Sequence, residues 1–161
     1  DVQSLPGEGA TFTVYLPLVA LPDETQDEDT EDADLQGTEK ILFVDDEGML
    51  VNMAGTYFKS MGYSMTTTTS SVRALEMFTE NPAAFDLLIT DMTMPGMTGL
   101  ALAREILKIR PDLPVILCTG YSDAANMNDI RREHIREFCQ KPVSLNVLGR
   151  LVRRILDDPA K

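Results

Sequence analysis

Asp91 closes an apolar run, Phe85-Asp86-Leu87-Leu88-Ile89-Thr90-Asp91, and opens a turn, Met92-Thr93-Met94-Pro95-Gly96. Asp45 and Asp46 close a second run, Ile41-Leu42-Phe43-Val44, while Thr119 and Lys141 directly follow two others, Val115 to Cys118 and Glu137 to Gln140. An aspartate carboxylate can attack phosphorus and form an acyl phosphate. Phosphoryl transfer then needs positioning and cations that neutralise the equatorial oxygens. Lys141 and the Thr119 hydroxyl suit contact with phosphoryl oxygens, and Asp45 and Asp46 suit Mg²⁺, which takes few protein carboxylates and keeps waters. Two carboxylates about 4 Å apart repel by about 4 kcal/mol at an effective dielectric near 20, so three together require a cation. The set predicts a divalent metal.

These residues can meet only if the runs are neighbouring strands ending at one edge. From Gly37 onward, short β-like runs alternate with helical patterns five times. The strands are expected at Lys40 to Val44, Tyr63 to Thr67, Asp86 to Thr90, Val115 to Cys118 and Glu137 to Gln140. Four are largely apolar, as strands buried on both faces are; the second is polar enough for an edge. Leu50, Met53 and Tyr57 share a helical spacing that Gly62 ends, and Ser70 or Ser71 caps a helix carrying Val72, Leu75 and Phe78. A third helix carries Leu102, Ile106 and Ile109 and stops before Pro111; a fourth is expected around Asp123 to Arg132. Ser144 caps a fifth with a Leu148, Val152, Ile155 stripe. Alternating units of this kind predict an α/β fold: a flavodoxin-like, doubly wound, five-stranded parallel sheet of order 2-1-3-4-5 with helices on both faces. That order delivers Asp45, Asp46, Asp91, Thr119 and Lys141 to the carboxyl edge, where such sheets bind ligands.

The 161 residues suit one domain with an extension, and their formal charge of -12 is unevenly distributed. Asp23 to Asp34 holds eight acids and no base, whereas residues 35 to 161 hold 16 acids against 14 bases. The acidic stretch predicts a self-repelling linker. The remainder lacks the concentrated positive face of a nucleic-acid binder, and the clusters Arg150, Arg153, Arg154 and Arg131, Arg132, Arg136 read as solvated faces. No apolar run spans a bilayer and no signal peptide opens the chain, so no membrane contact is expected. The start at Asp1 is expected of a piece of a longer protein. Cys118 and Cys139 lack metal-type spacing and read as buried free thiols, and the nine methionines read as core filler.

Residues 38 to 158 resemble the receiver domain of two-component response regulators. The resemblance rests on Ile41 to Glu47, Asp91 to Gly99, Cys118-Thr119-Gly120-Tyr121 and Lys141-Pro142. It implies Asp91 as phosphoacceptor, Asp45, Asp46 and the Thr93 main-chain carbonyl as further Mg²⁺ ligands, and Lys141 as the phosphate-binding cation. Thr119 would be the switch hydroxyl and Phe138 the aromatic switch residue, here without the hydroxyl of the tyrosine common at that position. The Lys141-Pro142 bond is expected to be cis. The donor is expected to be a histidine-kinase or phosphotransfer domain bearing phosphohistidine. A downstream partner is expected on the face of the fourth helix, fifth strand and fifth helix, and a dimer is allowed.

Residues 1 to 18, with Gly7-Glu8-Gly9-Ala10-Thr11-Phe12 and Leu16-Pro17, resemble the last glycine box and final strand of a histidine-kinase ATP-binding domain. Followed by an acidic linker over 19 to 37, they imply the receiver end of a hybrid histidine kinase, a cytoplasmic segment whose parent is a transferase. The fragment itself would catalyse only its own phosphotransfer and dephosphorylation. Gly7 and Gly9 are expected to bind nothing here. The alternating Phe12, Val14, Leu16 strand is expected to seek a sheet edge of a neighbouring chain. His134 reads as a surface histidine rather than a phosphodonor. Two other readings remain: a receiver-like module without phosphorylation, and a phosphatase-like α/β domain with an Asp nucleophile.

Overall fold

The computed structural model describes residues 1–15, 35–120 and 135–157. The chain divides into two units, Asp1–Asp32 and Ala33–Lys161.

In the first unit, β1 (Val2–Leu5) pairs antiparallel with β2 (Gly9–Phe12), Val2 opposite Phe12 and Leu5 opposite Gly9. Pro6 and Gly7 are the central residues of a turn closed by the Glu8 N–H on the Leu5 carbonyl at 3.0 Å. Gly7 has φ +82°, the conformation glycine adopts without steric cost. The strand found here, Gly9–Phe12, lies earlier than the expected Phe12, Val14, Leu16 stretch and pairs within its own chain; Val14 is outside it and Leu16 lies outside the described residues. Val2 and Phe12, directly opposed on one face, are both exposed.

The second unit is a parallel sheet of β3 (Lys40–Val44), β4 (Ser64–Thr68), β5 (Leu87–Asp91), β6 (Val115–Thr119) and β7 (Glu137–Gln140), in the order β4-β3-β5-β6-β7. Counted from β3 this is the expected order 2-1-3-4-5. The helices are α1 (Gly48–Ser60), α2 (Ser71–Glu80), α3 (Gly99–Ile109) and α4 (Leu145–Asp157), with a 3₁₀ turn at Pro82–Ala84. The fourth helix expected around Asp123 to Arg132, and His134 after it, fall outside the described residues.

Alternation along each strand divides the core into two layers. Ile41, Phe43, Leu87, Ile89 and Ile116 pack with Val51, Ala54 and Phe58 of α1 and Leu148, Val152 and Ile155 of α4. Leu42, Val44, Leu88, Val115 and Leu117 pack with Ala74 and Phe78 of α2 and Leu102, Ala103 and Ile106 of α3. Burying a side chain of this size stabilises by about 1.5 to 3 kcal/mol, so the two layers supply the main driving force. Side chains cap the helices as their sequences suggest: Ser70, Thr98 and Ser144 hydroxyls accept the N–H of Arg73, Ala101 and Val147 at 3.2 to 3.3 Å. β5 and β6 each run one residue further than expected, which makes Asp91 and Thr119 the last residues of their strands.

Arg153 corrects the reading of a solvated basic face. Its side chain is only 15% exposed and grips the Glu39 carboxylate at 2.6 Å. Arg154 is paired as well, with Glu137 at 2.6 Å. A sequence pattern cannot reveal these partners, because Glu39 stands just before β3, 114 residues from Arg153, and Glu137 stands on β7, 17 residues from Arg154.

Candidate functional site

The carboxyl ends of β3, β5, β6 and β7 form the predicted crevice. Asp45, just past β3, is almost fully buried; its Oδ1 accepts the Glu47 N–H at 2.9 Å and its Oδ2 accepts Lys141 Nζ at 2.8 Å. Asp91 is 6% exposed, and its Oδ2 accepts the Thr93 N–H at 2.9 Å while its Oδ1 meets the same Lys141 Nζ at 2.7 Å. One ammonium thus sits between two carboxylates from different strands. Lys141 is aimed there by its own N–H, which donates to the Thr119 carbonyl at 2.8 Å, and the Lys141-Pro142 peptide is cis.

Burial pushes the Asp91 carboxyl above its ordinary range, and the neighbouring Asp45 charge adds to this; the Lys141 bond and charge and the Thr93 N–H oppose it without cancelling it. Burial alone would lower the Lys141 ammonium. Hydrogen bonds to Asp45 and Asp91 more than reverse that, and its pKa rises well above that of a free lysine.

Asp46 is exposed beside Asp45. Among the described residues no three acidic, histidine or cysteine side chains stand together as a ready metal cluster. The donor set nevertheless fits a divalent cation. Asp45 and Asp91 already direct oxygens at one cationic point, and three aspartates against one lysine leave a formal charge of -2 at the crevice. Mg²⁺ needs only one or two carboxylates, completing its shell with water.

Thr119 is buried at the end of β6. The β6–β7 register sets Leu117 opposite Phe138 and Thr119 opposite Gln140, so Thr119 and Phe138 belong to the same sheet face one step apart. Phe138 is half-buried in the α2 and α3 layer. Cys118 and Cys139 face each other in the opposite layer as buried free thiols.

Two supporting residues carried no role in the sequence reading. The Thr90 hydroxyl donates to the Asp91 carbonyl at 3.2 Å, and a Cβ on Gly99 would stand 1.9 Å from that carbonyl. The Gly99 N–H closes the turn by donating to the Met92 carbonyl at 3.0 Å, and the Met92 N–H donates to Cys118 at 2.8 Å. A glycine beginning a helix shortly after a strand-end acid was the available signal.

Comparison with known proteins agrees with this arrangement. The response regulator receiver domain family matches residues 41–153. Over 160 residues, 94% of the chain, it is 32% identical to the sensor kinase CckA of Brucella abortus. Over 158 residues, 97% of the chain, it is 28% identical to the aerobic respiration control sensor protein ArcB of Escherichia coli. The chain spans only 17% and 20% of those two proteins. The crystal structure of a receiver domain protein from Clostridium thermocellum superposes with a TM-score of 0.70 at 34% identity, over 74% of this chain and 94% of that one. A CheY-like receiver protein from Methanospirillum hungatei gives 0.70 at 25% identity, over 76% and 97%. Five parallel strands in this order, acids and a lysine at their carboxyl ends and a match over most of the second unit place the chain in the family of response regulator receiver domains of two-component systems.

Proposed function

We propose that Asp91 accepts a phosphoryl group from a phosphohistidine on a histidine-kinase or phosphotransfer domain. The observation that carries this reading is the double grip of Asp45 and Asp91 on Lys141 Nζ, at 2.8 and 2.7 Å. An Asp91 carboxylate oxygen attacks phosphorus, the P–N bond breaks, and its electron pair returns to the donor imidazole, which takes up a proton. Lys141 leaves the Asp91 carboxylate to bind a phosphoryl oxygen while keeping Asp45, and the Thr119 hydroxyl donates to another. Asp45, Asp46, Asp91 and the Thr93 carbonyl would hold Mg²⁺. When bound, that ion neutralises charge on the phosphoryl oxygens and orients them. The Thr93 N–H holds the Asp91 carboxylate during the step, while Gly99 lets the start of α3 lie against the Asp91 main chain.

The phosphoryl-bound state is read as a switch in which Thr119 moves toward the phosphoryl group and Phe138 fills the space it leaves, altering the face that includes β7 and α4. That face is where a downstream partner or a second copy would bind.

A sensor-kinase parent is supported by the extent of the alignments. Those with the two sensor proteins cover 94% and 97% of the chain, whereas those with the regulators GlrR of Escherichia coli and ARR10 of Arabidopsis thaliana cover 74% and 73%. Residues 1 to 18 are read as the last strand region of the kinase ATP-binding domain, 19 to 37 as linker and 38 to 158 as the receiver. Among the described residues no helix is long and apolar enough to cross a membrane, and the proposed site of action is the cytoplasm.

Intact-mass measurement after incubation with a small acyl phosphate tests the chemistry. One phosphate should add to the parent chain with Mg²⁺ present, and none after chelation or in Asp91→Asn. Equal labelling of Asp91→Asn overturns the assignment.

A further inference from the structure

Residues 35 to 39 lead into β3 at the end of the sheet opposite Asp91, and Leu35, Gln36, Gly37 and Glu39 each meet the rest of the domain. A methyl group on Gly149 of α4 would stand 3.4 Å from Leu35 Cδ1 and 3.5 Å from the Tyr57 hydroxyl, which places Leu35 in the shallow notch that this glycine leaves. The Gln36 carbonyl accepts Arg153 Nη1 at 3.2 Å. The Gly37 N–H donates to the Met61 carbonyl at 3.0 Å, past the end of α1. A Cβ on Gly37 would lie 2.3 Å from the Tyr63 ring, and one on Gly62 would lie 2.7 Å from the Gly37 carbonyl, so both positions require glycine for the strand to lie this close. Glu39 then takes Arg153 Nη2 at 2.6 Å and Nη1 at 3.2 Å.

Arg153 is the centre of this arrangement. Its Nη1 also reaches the Tyr63 hydroxyl at 3.2 Å, Asp157 accepts its Nε at 2.9 Å, and the guanidinium carbon is 6.0 Å from the centre of the Tyr63 ring. A planar guanidinium held by two carboxylates, a hydroxyl and a main-chain carbonyl has little freedom left. Chain continuity alone would not produce this. A segment merely passing by needs neither two glycines nor a half-buried arginine contributed by a helix more than a hundred residues away.

We propose that the end of α1, the start of β4 and α4 form a docking surface whose occupant is the chain's own residues 35 to 39. The domain thereby clamps the last residues of its tether at the pole opposite the phosphoacceptor. The Asp91 crevice is left open to a donor, and the path of residues 35 to 39 is fixed by α1, β4 and α4. The inference rests on reading residues 19 to 37 as a tether and is independent of the phosphoryl chemistry.

Hydrogen exchange on the full chain tests it. The Gly37 amide should exchange at least about tenfold more slowly than an unstructured peptide, because its exchange requires undocking. Arg153→Ala and Leu35→Ala should each remove most of that protection, while the amides of Ile89 and Ile116 stay protected and Asp91 labelling is unchanged. If Arg153→Ala weakens the whole domain, Leu35→Ala decides, since it alters only the docked segment. Peptide-like exchange at Gly37 in the parent chain, or undiminished protection in Leu35→Ala, overturns the proposal. Failure of Asp91 to label would overturn the phosphoacceptor reading and leave this one standing.

Discussion

A Cβ on Gly99 would stand 1.9 Å from the carbonyl oxygen of Asp91 and 2.9 Å from Thr90 Oγ1, so the first residue of α3 is pressed against the end of β5. Nothing larger than hydrogen fits unless helix and strand separate. Gly99→Ala should therefore destabilise the domain by about 1 to 3 kcal/mol, the usual cost of overpacking. It should also loosen the turn that gives Asp91 its Thr93 N–H, lowering the labelling rate. Thermal melting checks the first effect and phosphate incorporation the second; a melting temperature within about 1 °C of the parent would contradict the steric argument.

Removing Lys141 leaves Asp45 and Asp91 buried and facing each other without their shared cation. Lys141→Ala should be less stable in the absence of metal, since stripping one partner from a largely buried ion pair costs about 3 kcal/mol or more. The same vacancy deepens the negative potential, so Mg²⁺ should bind Lys141→Ala more tightly than the parent and restore a larger share of stability. Labelling of Asp91 should still fall by about a hundredfold, the usual loss when one charge-stabilising group is removed. Calorimetric Mg²⁺ titration and labelling rates check the two arms, and weaker Mg²⁺ binding in the variant would disprove the shared-carboxylate argument.

The strands, and the polar residues that gather at their carboxyl ends, were legible because both have one-dimensional signatures. Ile41 to Val44 and Leu87 to Ile89 are buried on both faces and so read as unbroken apolar runs, and polar residues of the right types stand where those runs stop. Interactions set by distant backbone were not legible. Gly99 is required by a carbonyl eight residues earlier, and Gly37 by an aromatic ring at Tyr63. Arg153 looked like one of three helix-surface arginines because its partner Glu39 is 114 residues away. β1 was missed because its four residues include Gln3 and Ser4 and carry no clean alternation, and only the register with β2 identifies them as a strand.

Thr119 and Phe138 share a face of β6 and β7, one ladder step apart. If the hydroxyl of Thr119 is the group that moves on phosphorylation, Thr119→Ala should still accept phosphate on Asp91, more slowly for want of one phosphoryl contact, and yet fail to alter the surroundings of Phe138 once it is phosphorylated. Aromatic proton resonances recorded with and without a beryllofluoride phosphate mimic read this directly. A Phe138 shift as large in Thr119→Ala as in the parent would remove Thr119 from the switch.

The Glu39–Arg153 pair should make stability depend on acid pH in a defined direction. The hydrogen bond from Arg153 holds the Glu39 carboxyl below its ordinary value of 4.5, and partial burial opposes this less strongly. The unfolded chain therefore takes up this proton first as pH falls. The stabilisation is complete above about 5.5, begins to fall as pH approaches 4.5 and is gone once the pH has passed the folded Glu39 value. At neutral pH, Glu39→Gln should cost about 1 kcal/mol or less, because the pair is partly exposed and screened by water. Asp157 faces the same guanidinium, so the informative quantity is the difference between parent and variant rather than either curve alone. That difference should vanish below the folded Glu39 value and shrink at about 1 M salt, where the screening length is near 3 Å. Denaturant unfolding at a series of pH values measures it, and a difference that persists unchanged through the acid range would show that Glu39 acts through packing and not through its charge.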